Sequence, residues 1–364
     1  MLIRYASRLS GLRRRMDETN TDLVVLGPSG HMTWLSGLDP HGDERTVMLM
    51  ISKDYAGLII PALNADAARQ HTDMPFHVWN DEEGPEAALC ALIDKCNLPD
   101  DTPNLVLDEC MRADFALSVL AVLPKARHRF TDDTLGVLRA SKDAQEFMAL
   151  KASALLNDRA VVTAFDALKP GITELDVQNI IHAVYKAENT TPEFTIVAFG
   201  ANSALPHHHT GPTILTDNMP VLIDTGCRLQ GYPSDMTRCT WFGTADPEYL
   251  RIYGILEQAV SAAVAAAKPG VLAKTVDQAA RTVITNAGYG GNFPHRTGHG
   301  VGINIHELPY ITATSNTVLQ EGHVFSIEPG IYLENTFGIR LEDVVILRKD
   351  HAEILSGLPI NMPQ

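Results

Sequence analysis

The sequence predicts a mixed α/β (α+β) protein in two domains, residues 1–135 and 136–364, the second built from two related halves. Three observations carry this. A chain of 364 residues is long for one hydrophobic core. Residues 22–130 alternate short apolar runs with polar breaks, the pattern of buried strands joined by helices. The segment Ala167-Leu168-Lys169-Pro170-Gly171-Ile172 recurs as Ala266-Ala267-Lys268-Pro269-Gly270-Val271.

Taken in order, Leu2, Leu9, Leu12 and Met16 share an apolar face at roughly helical spacing and predict a first surface helix. Its arginines, Arg4, Arg8, Arg13, Arg14 and Arg15, would also suit a transit peptide, but no apolar core or small-residue cleavage site accompanies them. Leu23–Leu26, Val47–Ile51, Ala56–Ile60 and Leu105–Leu107 read as buried strands, with helices over Ala87–Cys96 and Ala116–Leu123. Met32-Thr33-Trp34 reads as strand-like, leading into a loop from Ser36 to Gly42. The domain boundary falls near Asp132–Ser141. Asp143-Ala144-Gln145-Glu146 then has the form of a capping box opening a long amphipathic helix.

In the second domain each Lys-Pro-Gly stops one helix, and Thr173 or Thr275 can cap the next. Later in each half comes a strand with an acid inside it, Leu222-Ile223-Asp224 and Ser326-Ile327-Glu328. A second acidic strand then carries Asp235 in one half and Glu342 in the other. Corresponding acids lie 104 and 107 residues apart. Turns at Gln230-Gly231 and near Glu334-Asn335 would fold each pair into a hairpin, and a pseudo-twofold axis would bring the two pairs together.

A net charge of −15 argues against nucleic acid and against anionic membrane, both of which need a basic face. The five cysteines, Cys90, Cys96, Cys110, Cys227 and Cys239, are odd in number and form no Cys-x-x-Cys pair, which predicts free thiols and a reducing cytoplasm. Cys227 and Cys239 flank the two aspartates. A disulfide between them is conceivable, but two small buried residues are the simpler reading.

Asp224, Asp235, His299, Glu328 and Glu342 form the candidate metal set. Four carboxylates and one imidazole exceed the four ligands of a structural zinc. They suit two divalent cations that activate water against a carbonyl, which suggests a two-metal hydrolase. A buried acid on an apolar strand is costly unless paired or metal-bound. One such acid could be a structural ion pair, but two at matching places in a repeat weaken that explanation. Gly298, Gly300 and Gly302 around His299 let backbone pack closely. Arg340 and Glu342 are two apart and would share one strand face, so Arg340 can support the carboxylates. In the run His207-His208-His209, exposed loop polarity explains His208 and His209.

These motifs, over about residues 140–350, resemble the pita-bread metallopeptidases: methionine aminopeptidase, aminopeptidase P and prolidase. The extra N-terminal domain, of the creatinase/prolidase-like α/β kind, is closer to aminopeptidase P and prolidase. The resemblance implies a C-terminal pita-bread domain holding two divalent metal ions, manganese, cobalt or zinc, on the five residues above. It implies hydrolysis of Xaa-Pro peptide bonds, with Glu328 also shuttling protons and His207 and His306 hydrogen-bonding the peptide carbonyl and the developing oxyanion. It implies a small-peptide substrate and a homodimer in which the loop Ser36–Gly42 approaches the other subunit's site. One departure stands out. Prolidases commonly carry His-Glu-x-Pro-Arg, whose arginine grips the dipeptide carboxylate, and here the run is His306-Glu307-Leu308-Pro309-Tyr310. Tyr310 cannot supply a bidentate cation. That leaves open an aminopeptidase P activity, or another anchor such as Arg340. Ectoine hydrolases and dimethylsulfoniopropionate lyases, which use the same fold on small charged substrates, are the alternative class.

Overall fold

The computed structural model describes residues 3–99 and 102–360, so Met1 and Leu2 of the expected first helix lie outside the described residues. The described chain falls into two compact units, Met1–Arg139 and Ala140–Gln364.

In the first unit the apolar runs form a six-stranded sheet in the order Phe76–Trp79, Ala56–Pro61, Met48–Ser52, Leu23–Leu26, Asn104–Leu107, Arg127–Arg129. Its central strands are buried on both faces, so they read as unbroken apolar runs without alternation. The helices Glu86–Lys95 and Ala113–Val122 pack on it through Leu89, Leu92, Phe115 and Val119. One expectation fails here. Met32-Thr33-Trp34 is not strand but part of a helix, Gly30–Ser36. The Ser29 side chain accepts the His31 and Met32 amides at its start, and Gly37, at φ 77°, closes its end. These end signals outweigh the β-favouring Thr-Trp pair.

The second unit shows the repeat as two helix pairs, each leading into a sheet. Ala144–Asp166 and Glu174–Ala187 precede the first sheet, and Pro247–Ala266 and Ala273–Asn286 precede the second. The Lys-Pro-Gly turns are equivalent in detail: Gly171 donates its amide to Leu215 O at 2.9 Å, and Gly270 donates to Leu319 O at 2.8 Å. Both glycines sit near φ 90°, a conformation that favours glycine. Asp143 and Glu146 form the expected capping box, and so do Thr173 and Asp176. Thr275 does not cap. The helix starts two residues earlier, at Ala273, with Leu272 as an unassisted cap. Its first amides are taken by backbone carbonyls, Ala273 N–H by Thr317 O, Lys274 N–H by Ser315 O and Thr275 N–H by Leu272 O.

The first sheet runs Met236–Phe242, Met219–Leu229, Thr191–Phe199. The second runs Glu307–Ile311, Gly298–Gly300, Val324–Ile327, Asp343–Leu347, Ala352–Ile354, with a separate hairpin Gly330–Leu333/Phe337–Arg340. Each sheet is backed by its own helix pair through an apolar core. On the other face of the first sheet Ala198, Leu222 and Cys239 join the core around the second helix pair, and Asp224, two residues from Leu222, shares that face. All five cysteines are free thiols. Cys227 and Cys239 do not face each other: Cys239 lies opposite Leu222, and Cys227 hydrogen-bonds around Ser153 and Ser234. Among the described residues, no helix is long and apolar enough to cross a membrane.

Candidate metal centre

A cavity of about 930 Å³ opens between the two sheets of the second unit, and Asp224, Asp235, His299, Glu328 and Glu342 all line it, together with His207, His306 and Arg340. Only Asp224 stands within a continuous strand, at the centre of the first sheet opposite Ile196 and Thr237. The other three acids differ from expectation. Asp235 follows the short strand Tyr232–Pro233, Glu328 follows Val324–Ile327, and Glu342 sits in the break between Phe337–Arg340 and Asp343–Leu347. Asp224 reaches the cavity from the pleat of a regular strand, whereas the other three acids enter it at strand ends and breaks. The freed backbone is paired elsewhere, Glu328 N–H to Thr297 O and Glu342 N–H to Thr237 O.

The glycines around His299 are demanded by contact. A Cβ on Gly298 would lie 1.8 Å from Ser326 O, and one on Gly300 would lie 2.2 Å from Leu308 O. This packing buries the imidazole (3% exposed) with its orientation fixed. Nδ1 faces Gly300 O at 3.2 Å, and because a carbonyl only accepts, the proton is on Nδ1. Nε2 thus presents a lone pair to Glu328 Oε1 at 3.3 Å and Asp235 Oδ2 at 3.5 Å. Burial, then the neighbouring His306, lowers the His299 pKa to about 3, so the ring is neutral.

The donor set fits divalent cations. Ligand atoms of Asp235, His299 and Glu342 lie within 4.8 Å of one another. Each offers an acceptor atom to the same small volume. Asp224 Oδ1 is buried with no hydrogen-bond partner, although its Oδ2 has one. Burial, followed by the other carboxylates, pushes Asp235 and Glu342 well above the usual carboxylate range. Glu328 is raised to about 7, mainly by burial. A bound dication would relieve all three.

Among the described residues, Arg340 is the cation engaged with the cluster. Its guanidinium donates to Asp224 Oδ2 at 2.6 Å, to Tyr332 OH at 2.8 Å, to Thr237 Oγ1 at 3.0 Å and to Pro206 O at 3.3 Å. Thr237 passes its own proton to Glu342 Oε2 at 2.7 Å. Tyr332 OH in turn meets His295 Nε2 at 2.9 Å, while His295 Nδ1 donates to Arg296 O at 2.8 Å. The carbonyl forces the tautomer, so Tyr332 is the donor to Nε2. Burial lowers the His295 pKa to about 4, which keeps that ring neutral. His306 stands edge-on to His299, ring centroids 4.1 Å apart. His208 departs from the expected exposed loop: its Nε2 meets the fully buried Glu174 at 2.9 Å. His295, Arg296, Tyr332 and the wall residues Glu193, Phe194 and Ile196 were not singled out from sequence. The His295-Arg296 pair lay three to four residues before His299, inside a stretch whose glycines drew the attention.

A second cluster, His31, Asp108 and Glu109, lies in the first unit. Arg139 donates to His31 Nδ1 at 2.9 Å, and Nε2 faces Glu109 at 3.0 Å. Ser29 Oγ and the Gly27 and Cys110 amides satisfy Asp108. That is a closed hydrogen-bond network around a helix start rather than a ligand set.

Comparison with known proteins adds two family matches: metallopeptidase family M24 over residues 148–349 and the creatinase/prolidase N-terminal domain over residues 8–128. An Xaa-Pro dipeptidase of Lactobacillus helveticus is 34% identical over 360 residues, covering 94% of each chain. The crystal structure of dipeptidase PepE from Mycobacterium ulcerans superposes with a TM-score of 0.93 at 30% identity, covering 99% of this chain and 97% of that one. A prolidase from Thermococcus sibiricus gives 0.91 at 29% identity, over 100% and 99%.

Proposed function

The chain belongs to metallopeptidase family M24, and from that premise we propose that the cavity of the second unit is the site of its Xaa-Pro dipeptidase activity. The enzyme hydrolyses Xaa-Pro dipeptides and depends on divalent metal. The observation that carries the assignment of the site is the convergence of four carboxylates and a neutral imidazole, all acceptors, in one cavity.

Asp224, Asp235, His299, Glu328 and Glu342 would hold two cations, manganese, cobalt or zinc; oxygen-rich sites accept several, and supply often decides. When bound, they supply Lewis-acid polarisation of the scissile carbonyl and an activated water at neutral pH. Glu328, whose Oε1 stands 3.3 Å from His299 Nε2 at the cluster, would take the water's proton and return it to the leaving proline nitrogen. His207 and His306 donate to the peptide carbonyl as it becomes an oxyanion. Burial, then Arg296, keeps the His306 pKa below its ordinary value, so at neutral pH it is an uncharged donor. Arg340 fixes Asp224 directly and Glu342 through Thr237. The wall formed by Phe194, Ile196 and Ile305 supplies apolar surface for the proline ring.

The five free thiols support a cytoplasmic location. The resemblance supports a homodimer, with the segment Ser36–Gly42 at the neighbouring subunit's site.

The test is metal analysis of chelator-treated and reloaded protein, with kcat/KM for Ala-Pro, for Ala-Pro-Ala and for a small charged substrate such as ectoine. The expected result is two equivalents of metal and activity on Ala-Pro that chelation abolishes. Full activity without metal, or turnover of ectoine alone, would overturn the reading.

A further inference from the structure

We infer that Arg296, seated on the ring of Tyr310, binds the C-terminal carboxylate of the dipeptide substrate and sets the preference for dipeptides. This rests on the Xaa-Pro dipeptidase reading above.

A dipeptide ends in a carboxylate one residue beyond the scissile bond. One residue spans at most about 3.6 Å, so a cation must stand on the wall of the same cavity as the metal ligands. Two arginines line that cavity, Arg296 and Arg340. Arg340 is ruled out by its burial and its own bonds: it is 4% exposed, and Asp224, Tyr332, Thr237 and Pro206 take four of its five N–H donors. Arg296 is the opposite case. It is half-buried, and among the described residues its guanidinium has no carboxylate partner and no side-chain hydrogen bond. The acids nearest the cavity are otherwise committed: Glu193 is held by Arg228 at 2.6 Å, and Glu307 by Lys142 at 2.7 Å. A planar cation without a counter-ion beside a peptide-sized cavity is built to receive a carboxylate bidentately.

Its position is set by Tyr310. The guanidinium carbon lies 4.8 Å from the centroid of that ring, within cation–π distance. The ring covers one face of the guanidinium and leaves the in-plane donors free. Tyr310 is therefore no vacancy at the position where prolidases commonly present an arginine. It is a positioning residue that acts through an arginine contributed by the segment before His299.

The test compares kcat/KM for Ala-Pro and its C-terminal amide in the wild type, Arg296→Met, Arg296→Lys, Tyr310→Ala and Tyr310→Phe. Arg296→Met is expected to raise KM for the free dipeptide roughly 10- to 100-fold, with kcat falling less, and to cut the acid-to-amide ratio by a similar factor. Arg296→Lys keeps the charge without the fork and falls between the two. Tyr310→Ala lowers the ratio, and Tyr310→Phe, which retains the ring, rescues it. If Arg296→Met does not fold, Arg296→Lys and the Tyr310 pair give the same reading. An acid-to-amide ratio unmoved in these variants overturns the inference while the wild-type activity stands. A loss confined to Asp-Pro relative to Ala-Pro also overturns it, by assigning Arg296 to an acidic first residue. A wild type that does not cleave Ala-Pro overturns the underlying reading and the inference with it.

Discussion

Replacing Arg340 with Met removes the guanidinium engaged with the carboxylate cluster. Four hydrogen bonds go with it, to Asp224, Tyr332, Thr237 and Pro206. Asp224 then keeps no side-chain partner, since its other oxygen has none already. Breaking a buried ion pair by removing one member costs about 3–5 kcal/mol, because the remaining charge stays buried. Bound cations offset much of that, so the loaded enzyme should fold, and the loss should appear as weaker metal binding. Loss of a group that orients metal ligands typically weakens affinity or activity about 10- to 100-fold, or about 1.4–2.7 kcal/mol. Arg340→Lys separates charge from shape. One ammonium cannot bond Asp224, Tyr332 and Thr237 in a single plane, so it should recover metal affinity more than turnover. The assay is calorimetric titration of chelator-treated protein with manganese, alongside Ala-Pro turnover at saturating metal. Arg340→Met protein that binds metal within twofold of the wild type would refute the reasoning and reduce Arg340 to a packing group.

His306→Ala should slow turnover about 10²- to 10³-fold, the usual effect of losing one oxyanion donor, with metal content unchanged; parallel loss of metal and activity would assign His306 to the ligand set instead. His323 is 3% exposed and accepts the Gln320 amide on Nδ1 at 3.3 Å. Burial, then Lys142, takes its pKa from 6.5 to about 4. As pH falls the unfolded chain binds this proton first, so stability is full above about 6.5 and declines down to about 4. Between pH 7 and pH 5 the loss is roughly 2 kcal/mol, and urea denaturation of His323→Gln should show a correspondingly flatter pH dependence. The proposed homodimer predicts a mass by sedimentation equilibrium of about twice the chain mass at working concentration, and an active monomer would contradict it.

Much of the fold was legible because its signals are local. The strands Leu23–Leu26 and Ala56–Pro61 announce themselves as apolar runs, and the Lys-Pro-Gly turns repeat with the same hydrogen bonds. That the five candidate ligands would meet in one cavity was legible from their motifs and from the repeat that pairs them. The errors have physical sources as well. Met32-Thr33-Trp34 went wrong because Ser29 and Gly37 fix a helix across residues of β propensity. Thr275 went wrong because the helix begins at Ala273, where the carbonyls of Thr317, Ser315 and Leu272 take its first amides. The acids at 235, 328 and 342 were placed in strands, whereas a carboxylate leaves the pleat more easily at a break. The Tyr332–His295 relay was illegible because its members lie 37 residues apart and only the folded hairpin joins them.

Tyr310 shows why a single departure from a motif is weak ground for a change in specificity. Taken alone, a tyrosine in place of an arginine removes a charge-assisted hydrogen bond of roughly 1.5–3 kcal/mol, and longer peptides should gain over dipeptides. That argument assumes that the cation must come from position 310. What the substrate requires is a guanidinium at a place in space, and a side chain as long as arginine can reach that place from a neighbouring segment. Arg296 comes from the segment before His299, and Tyr310 lies under it at 4.8 Å, so the ring occupies the position as a platform for the charge. The two positions then vary together: Tyr310→Arg would set two cations side by side and should weaken dipeptide binding rather than improve it. A gain in kcat/KM for Ala-Pro in Tyr310→Arg would return the anchoring role to position 310 alone.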